Sequence, residues 1–371
     1  MRILQALPAL YSGGVERGTV EFASDLVRQG HESFVVSSGG PMAQRLQEQG
    51  STHIQMPIHR KSLASFGQIR PMRKLIRELR PDIIHVRSRM PAWIVHLALR
   101  GLPEHQRPAR VSSFHGMYSV NPYSAIMAKS DHVIAVSNCV RNYVLHNFKV
   151  PEHKLTVIQR GVDVNYFQHR ELSGAWLKAL FSQFPHLEGK RILMMPGRIS
   201  RWKGQLEFLE AMEEIVREKP DCHGIIVGGA EPGKEHFLGE LEQHRAKLGL
   251  TDKVTFLGQR DDMAELYLFA DLVCHMSTKP EPFGRTVTEA LSSGTPVVAF
   301  NRGGAAETLQ ACFPDGLVTP DDTREFAQVA LKLLSGSAPN IEIPFKFRLQ
   351  AQTESTLEVY RKVLGQTPSS P

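Results

Sequence analysis

Short runs of aliphatic and β-branched residues alternate with longer segments of helical period along nearly the whole chain. The runs at 2–6, 33–37, 83–86, 110–114 and 132–136 are bounded by Gly, Pro or Asp, as strands of a buried sheet are. Helical periods lie between them; 16–29, for example, places Val20, Ala23, Leu26 and Val27 on one face. The pattern restarts after Gly161, with strands expected at 191–195, 224–227, 254–257, 272–275 and 296–300. Helices are expected there at 205–219, 234–248, 263–270 and 286–293. Strand–helix alternation implies parallel strands joined by crossover helices. The pattern therefore predicts an α/β chain of two doubly wound units in series. The joint is expected near Arg160-Gly161-Val162-Asp163, where a turn follows strand-like 156–158. Open α/β sheets bind ligands outside the carboxyl ends of their strands. Two facing units would hold a ligand between them, so the chemistry is expected in the loops that follow strands.

A length of 371 residues suits two domains, and 42% hydrophobic with 22% charged residues is an ordinary globular composition. No apolar run reaches the roughly 18 residues of a membrane span; the longest, 90–99, is interrupted by His96. Met1-Arg2-Ile3-Leu4 leads directly into the first strand, so no signal peptide is expected. Cys139, Cys222, Cys274 and Cys312 have no metal-binding or redox spacing and read as free thiols of a reducing compartment.

Ser12-Gly13-Gly14-Val15-Glu16-Arg17 opens a helix after the first strand. Its paired glycines permit close backbone approach to a ligand, though a plain tight turn reads the same way. His115, followed by Gly116, ends another strand and is either a cleft residue or a satisfied structural histidine. In the second half Pro196-Gly197-Arg198 follows a strand, and Lys203-Gly204 stands at a helix entrance. Arg198 and Lys203 form a phosphate clamp or a pair of solvated loop cations. The segment from Glu281 to Glu289, EPFGRTVTE, favours the clamp. Pro280 and Pro282 force extended backbone, Gly284 allows a sharp turn, and a helix then begins near Arg285. Free N–H groups from Phe283 to Thr286 would make an anion site flanked by two carboxylates. A capping role for Glu281 alone leaves Pro-Phe-Gly unexplained, and also Asn301-Arg302-Gly303-Gly304 with Glu307 beyond. Gly228-Gly229-Ala230-Glu231-Pro232-Gly233-Lys234 has P-loop spacing, but Glu235 stands where Ser or Thr must bind magnesium, which argues against an NTPase.

These blocks occur in one order: SGGVER, SSFHGMYSV, DHVIAVSNCVRNYV, VIQRGVDVNYF, PGRISRWKGQ, VTFLGQRDDM and EPFGRTVTEALSSGTPVVAFNRGGAAETL. The chain thereby resembles the retaining glycosyltransferases of family 4, over nearly its whole length. HGMYSVN, RWKGQ and the Phe-Gly-Arg-Thr variant look like a proteobacterial subgroup of lipopolysaccharide-core assembly. The resemblance implies a GT-B fold of two Rossmann-like domains across a cleft. Residues 1–162, with a helix at about 348–366 returning to them, would form the acceptor side. Residues 163–347 would bind the donor.

By the same resemblance, Glu281 would contact the donor sugar's hydroxyls and Glu289 the ribose. Arg198 and Lys203 would neutralise the diphosphate, with Gly197 on their loop and N–H groups near Phe283, Gly284 and Arg285. Gly13 and Gly14 would close on the diphosphate or sugar, and His115 would face the reacting carbon. Arg260, with Gln259, would meet the base. The expected activity moves a sugar from a nucleotide-sugar, with UDP as product, to a glycolipid or oligosaccharide such as lipopolysaccharide core. No Asp-x-Asp occurs, so no metal is expected, and the nucleotide-sugar is a substrate, not a cofactor.

The net charge of +6 is unevenly placed: residues 1–160 hold 21 basic and 10 acidic side chains, and the remainder holds 23 and 28. The segment 69–80 puts Arg70, Arg73, Lys74 and Arg77 at helical spacing, with Arg60, Lys61, Arg87, Arg89, Arg100, Arg107 and Arg110 near in sequence. This suits either peripheral contact with anionic lipid at the inner face of the cytoplasmic membrane or an ordinary solvated helix. A sugar-nucleotide epimerase of the same fold is the alternative activity. A nucleic-acid-binding protein is disfavoured because no aromatic-interleaved basic module occurs.

Overall fold

The structure is a computed structural model, and it describes residues 1–366 apart from Ser12, Glu231, Pro232, Lys234, Ala338 and the side chain of Leu63. Ser12 of the first glycine motif, three residues of the P-loop-like segment and the polar end at 367–371 lie outside the described residues.

The chain divides into two units, Met1–Gly161 joined by the segment from Leu349 onward, and Val162–Arg348. The first contains β1 (Arg2–Ala6), β2 (Glu32–Ser37), β3 (Thr52–Gln55), β4 (Ile83–Val86), β5 (Ala109–Phe114), β6 (His132–Ala135) and β7 (Leu155–Val157). These form one sheet in the order β3-β2-β1-β4-β5-β6-β7. The second contains β8 (Arg191–Pro196), β9 (Cys222–Val227), β10 (Val254–Gly258), β11 (Leu272–His275), β12 (Val297–Phe300) and β13 (Leu317–Val318), in the order β10-β9-β8-β11-β12-β13. Every described strand pair is parallel. Both sheets reverse strand order beside their first strand, the doubly wound arrangement expected from the sequence.

Strands β4, β6, β11 and β12 are buried at every residue, because helices cover both faces. Two strands escape the sequence pattern. β3, Thr-His-Ile-Gln, is an edge strand with no fully buried residue, and β13 has only two residues. The boundary falls one residue before the expected 162/163 division and returns one residue after the expected 347/348. Val162 forms a bridge with Arg348 and donates its N–H to the Phe347 carbonyl at 2.9 Å, which ties both residues to the second unit.

The last helix, Leu349–Val363, packs on the first unit. Leu357, Val359 and Tyr360 join Ile3, Phe22, Leu26, Ile83 and Val111 in one core cluster. The Tyr360 hydroxyl meets His85 Nδ1 at 2.6 Å. The helix occupies most of the 348–366 stretch expected from the resemblance. Its first half buries Thr353 and Thr356, whose hydroxyls bond back to the carbonyls of Leu349 and Gln352. Leu357 is fully enclosed, so Leu357→Ala is expected to destabilise the first unit by about 2–5 kcal/mol. Urea unfolding followed by hydrogen exchange of the first unit's strands measures it; unchanged protection there would contradict the packing role.

Candidate functional site

The second unit gathers its chemistry at the carboxyl ends of β8 and β11, which are neighbours in the sheet. After β8 the chain turns through Gly197, at φ +145°, and its N–H donates to the Val227 carbonyl at 2.8 Å. A short turn at Arg201–Lys203 then ends on Gly204, at φ +88°. A Cβ on Gly204 would lie 2.0 Å from the Met276 carbonyl oxygen, so only glycine lets this loop approach the end of β11. The Thr278 N–H donates to the Trp202 carbonyl at 2.9 Å and seals the approach.

Lys203 Nζ is thereby 2.7 Å from Glu281 Oε1, and both side chains are only 15% exposed. His275 Nε2 meets Glu281 Oε2 at 2.7 Å, and the Ser277 hydroxyl donates to the same oxygen at 2.9 Å. Burial pushes the Glu281 carboxyl upward. The Lys203 charge and then His275, with the hydrogen bonds from both, outweigh burial and hold it well below the usual carboxylate range. The Trp202 ring lies 4.5 Å from the Lys203 ammonium. Glu281 is therefore an ionised carboxylate held through both oxygens and not a helix cap.

The glycines singled out in the sequence enforce this corner. A Cβ on Gly284, at φ +83°, would lie 2.6 Å from the Ala305 Cβ. One on Gly303 would meet the Glu281 backbone at 2.6 Å, and the Gly304 N–H donates to the Glu281 carbonyl at 2.7 Å. Gly284 starts the helix Arg285–Ser292. Phe283 is buried and anchors the turn against Phe347 at 6.4 Å between ring centroids. Glu289 is buried in this helix, and its two oxygens accept from Arg285 Nε at 3.1 Å and the Tyr267 hydroxyl at 3.0 Å. Arg198 is exposed on the β8 loop and its carbonyl accepts from Gln205 at 3.1 Å. Arg260 stands on the loop after β10, with its guanidinium on Asp262 at 2.8 Å and 2.5 Å. Asp262 also accepts from Trp176 Nε1 at 2.7 Å. The Arg260 charge is thus already engaged.

In the first unit, Gly13 precedes the helix Gly14–Arg28 and its carbonyl accepts the Arg17 N–H at 3.0 Å. The Gly14 carbonyl accepts from the Arg160 guanidinium. His115 follows β5, and both its ring nitrogens are buried without a hydrogen-bond partner among the described residues. Burial first, then the charges of Arg160, Arg87 and His85, lowers its pKa well below the ordinary imidazole value, so the ring is neutral at pH 7. His115 is therefore not a satisfied structural histidine.

The basic segment differs from the sequence expectation in one respect. In the helix Ile69–Leu79, Arg73 does not share the outward face of Arg70, Lys74 and Arg77. Its guanidinium donates to the carbonyls of Ala98 at 3.0 Å and Leu97 at 3.4 Å, capping the neighbouring helix Arg89–Arg100. Arg87 is also buried and faces no solvent surface. Sequence reasoning missed His275 and Ser277 as partners of Glu281. A polar residue ending a buried strand, the signal used for His115, would have found His275.

Among the described residues, no group of three or more His, Cys, Asp or Glu side chains could hold a metal ion, and no helix is long and apolar enough to cross a membrane. The geometry of the second unit is suited to an anion: a lysine with two N–H bonds still to give, next to an exposed arginine, beside a helix N-terminus.

A family model described as Glycosyltransferase Family 4 matches residues 12–166, and one described as Glycosyl transferases group 1 matches residues 178–348. The crystal structure of a glycosyltransferase from Rickettsia africae ESF-5 is 31% identical, with a TM-score of 0.83 and coverage of 98% of this chain and 99% of that one. Anabaena HepE, solved in complex with UDP and glucose, is 24% identical, with a TM-score of 0.78 and coverage of 98% and 100%. The lipopolysaccharide core biosynthesis mannosyltransferase LpsB of Rhizobium meliloti is 26% identical over 249 residues, 64% of this chain and 68% of LpsB.

The Lys203–Glu281 pair sets an expectation for stability. A carboxyl with a depressed folded pKa adds stability above its unfolded pKa of about 4.5, and this is lost as pH falls below that value. Lys203→Met leaves the buried carboxylate undercompensated, at a cost of about 3–5 kcal/mol near pH 7. The deficit should shrink as pH drops through 4, because protonation then removes the unpaired charge. Urea midpoints of both proteins between pH 3 and 7 check this; parallel curves would contradict it.

Proposed function

The chain belongs to the glycosyltransferases, with a family 4 N-terminal domain and a group 1 C-terminal domain in the GT-B fold, and from that membership we propose a retaining, metal-independent enzyme using a UDP-sugar. The observation that carries the proposal is the Lys203–Glu281 corner beside the Gly284 helix start. Sugar transfer builds an oxocarbenium-like centre while negative charge grows on the leaving diphosphate. Cations and N–H groups fixed in advance stabilise that charge, which is usually the largest catalytic contribution. Lys203, held by Glu281, keeps two N–H donors for the diphosphate, and Arg198 offers a bidentate fork. The N–H groups at Phe283, Gly284 and Arg285 add to them, with Gly197 shaping the loop. Glu281 accepts the sugar's hydroxyls and Glu289 those of the ribose. Gly13 and Gly14 approach the diphosphate or sugar, His115 meets the sugar at its reacting carbon, and Gln259 and Arg260 receive the base.

The missing Asp-x-Asp and the presence of Arg198 and Lys203 support charge neutralisation by side chains. Retention follows from attack on the leaving-group face, with the departing phosphate taking the acceptor's proton. The UDP complex of HepE supports UDP as the nucleotide, and the likeness to LpsB supports a cell-envelope glycolipid, such as lipopolysaccharide core, as acceptor. The enzyme would act in the cytoplasm, peripherally at the inner membrane face, through the outward cations of the helix Ile69–Leu79.

Lys203→Ala and Glu281→Ala should each lower kcat roughly 10²–10³-fold, as loss of one fixed oxyanion donor does. Full turnover of both variants on a UDP-sugar would sink the assignment, and release of an altered free sugar without acceptor would indicate the epimerase instead. UDP at a hundred times its Kd should stabilise the protein by about 2.7 kcal/mol, where GDP and ADP do less. Chelation should leave turnover unchanged. Sedimentation with anionic vesicles should weaken with salt and with Arg70→Glu/Arg77→Glu, since each exposed cation contributes roughly 1 kcal/mol. Absent or salt-insensitive binding would remove the membrane contact.

A further inference from the structure

The first unit holds a buried charge, Arg87, that the proposed sugar chemistry does not use. Arg87 directly follows β4, is 4% exposed and has no carboxylate partner among the described residues. Its Nε donates to Gln5 Oε1 at 2.8 Å, and its guanidinium carbon lies 5.4 Å from the Phe22 ring. Burial lowers its pKa only to about 10, so it is charged at neutral pH. A buried guanidinium without a carboxylate partner is costly. Arg87, His115 and Arg160 line one cavity of about 20 Å³ at the carboxyl ends of the strands, with Ser113 and His85 beneath. Gln5 Nε2 and both His115 ring nitrogens are buried without partners among the described residues. The His85 ring cannot help, since its nitrogens are taken by Tyr360 and Ser113 at 2.6 and 2.7 Å.

We infer that this pocket is an oxyanion site, which takes one oxygen of a phosphate or carboxylate group carried by the acceptor. The inference rests on the glycosyltransferase reading for the word acceptor, but not for the pocket. The cavity holds about one water-sized group. A water fills that volume without answering the Arg87 charge; one oxygen of an anionic group does both. The donors lining it are the Arg87 guanidinium and the His115 N–H, with Gln5 behind them holding the Arg87 Nε, a set suited to charge-assisted recognition of an oxyanion. The body of the ligand remains outside the cavity, which is too small to admit more than one oxygen.

The test uses the full-length protein, with inorganic phosphate and acetate as probes and the His115 ring nitrogens, observed by long-range ¹H–¹⁵N NMR, as readout. Either anion should move the His115 signals toward the protonated form, because a bound negative charge offsets Arg87 and Arg160. Arg87→Gln should abolish the shift, and Arg87→Lys should retain part of it. Gln5→Leu, which keeps both arginines, should weaken it. Repeating the titration with UDP bound separates the sources. A persisting phosphate shift supports an acceptor group. Loss of the shift, with UDP itself moving His115, assigns the anion to the donor and overturns the acceptor reading. An unmoved His115 in the wild type means a water-filled pocket and overturns the site. A Kd for UDP that stays unchanged in Arg87→Gln shows that the variant is folded and that the donor reading stands by itself.

Discussion

The ion pair between Lys203 and Glu281 is the contact around which the second unit's strand-end loops are arranged. The two residues come from loops 78 positions apart, and the adjacency of β8 and β11 brings the loops within reach. Reach alone is insufficient. Gly204 must lie against the Met276 carbonyl, Gly303 against the Glu281 backbone and Gly304 against the Pro282 carbonyl, at distances no Cβ tolerates. Burying a carboxylate opposes all of this, so the arrangement holds only because Lys203, His275 and Ser277 answer both of its oxygens. One consequence is functional. A lysine held in this way does not have to be ordered when a polyanion arrives, and preorganisation is what makes such charges effective in catalysis.

The first unit solves the opposite problem in the opposite way. Its buried charge is positive, at Arg87, and its neighbours are further donors. Where the second unit answers both oxygens of its buried carboxylate, the first leaves Gln5 Nε2 and both His115 ring nitrogens open. His115 is kept neutral by burial and by the surrounding cations, so it presents one N–H and one lone pair to whatever enters. A satisfied corner favours rigidity, whereas an unsatisfied one favours a ligand.

The doubly wound fold was legible because buried parallel strands require continuous apolar runs, and β4, β6, β11 and β12 supply them. β3 was not legible, since an edge strand with half-exposed residues carries no such run. The helix Leu349–Val363 was expected from the resemblance, though its first half carries no apolar signal, because it buries threonines that satisfy their hydroxyls on their own backbone. At the site, residue types and spacing pointed to Glu281, Lys203, Gly284 and His115. Partners such as Ser277, Tyr267 and Asp262 were invisible, because nothing in their sequence neighbourhood states which strand end they meet. Arg87 was misread for a related reason. Counting it with the nearby cations treats every arginine as surface charge, and only its position after β4 shows that it is buried.

That distinction changes what the basic half can do. Arg87 and Arg160 are buried, Arg73 is spent on carbonyls, and Arg110 is shared between His96 and the Lys129 carbonyl. The cations left at the surface include Arg70, Lys74 and Arg77 on one exposed helix face, and Lys74 already has Glu78 at 3.7 Å. The same helix turns Met72 and Ile76 inward to the core, and Leu75 and Leu79 are half-buried. It therefore presents cations outward without an apolar wedge. Adsorption by charge alone is reversible and decays within a Debye length, whereas insertion needs an amphipathic face directed outward. In the proposed function this helix would therefore concentrate the protein near an anionic surface without inserting, and recognition of an individual acceptor would be left to the buried strand-end pocket.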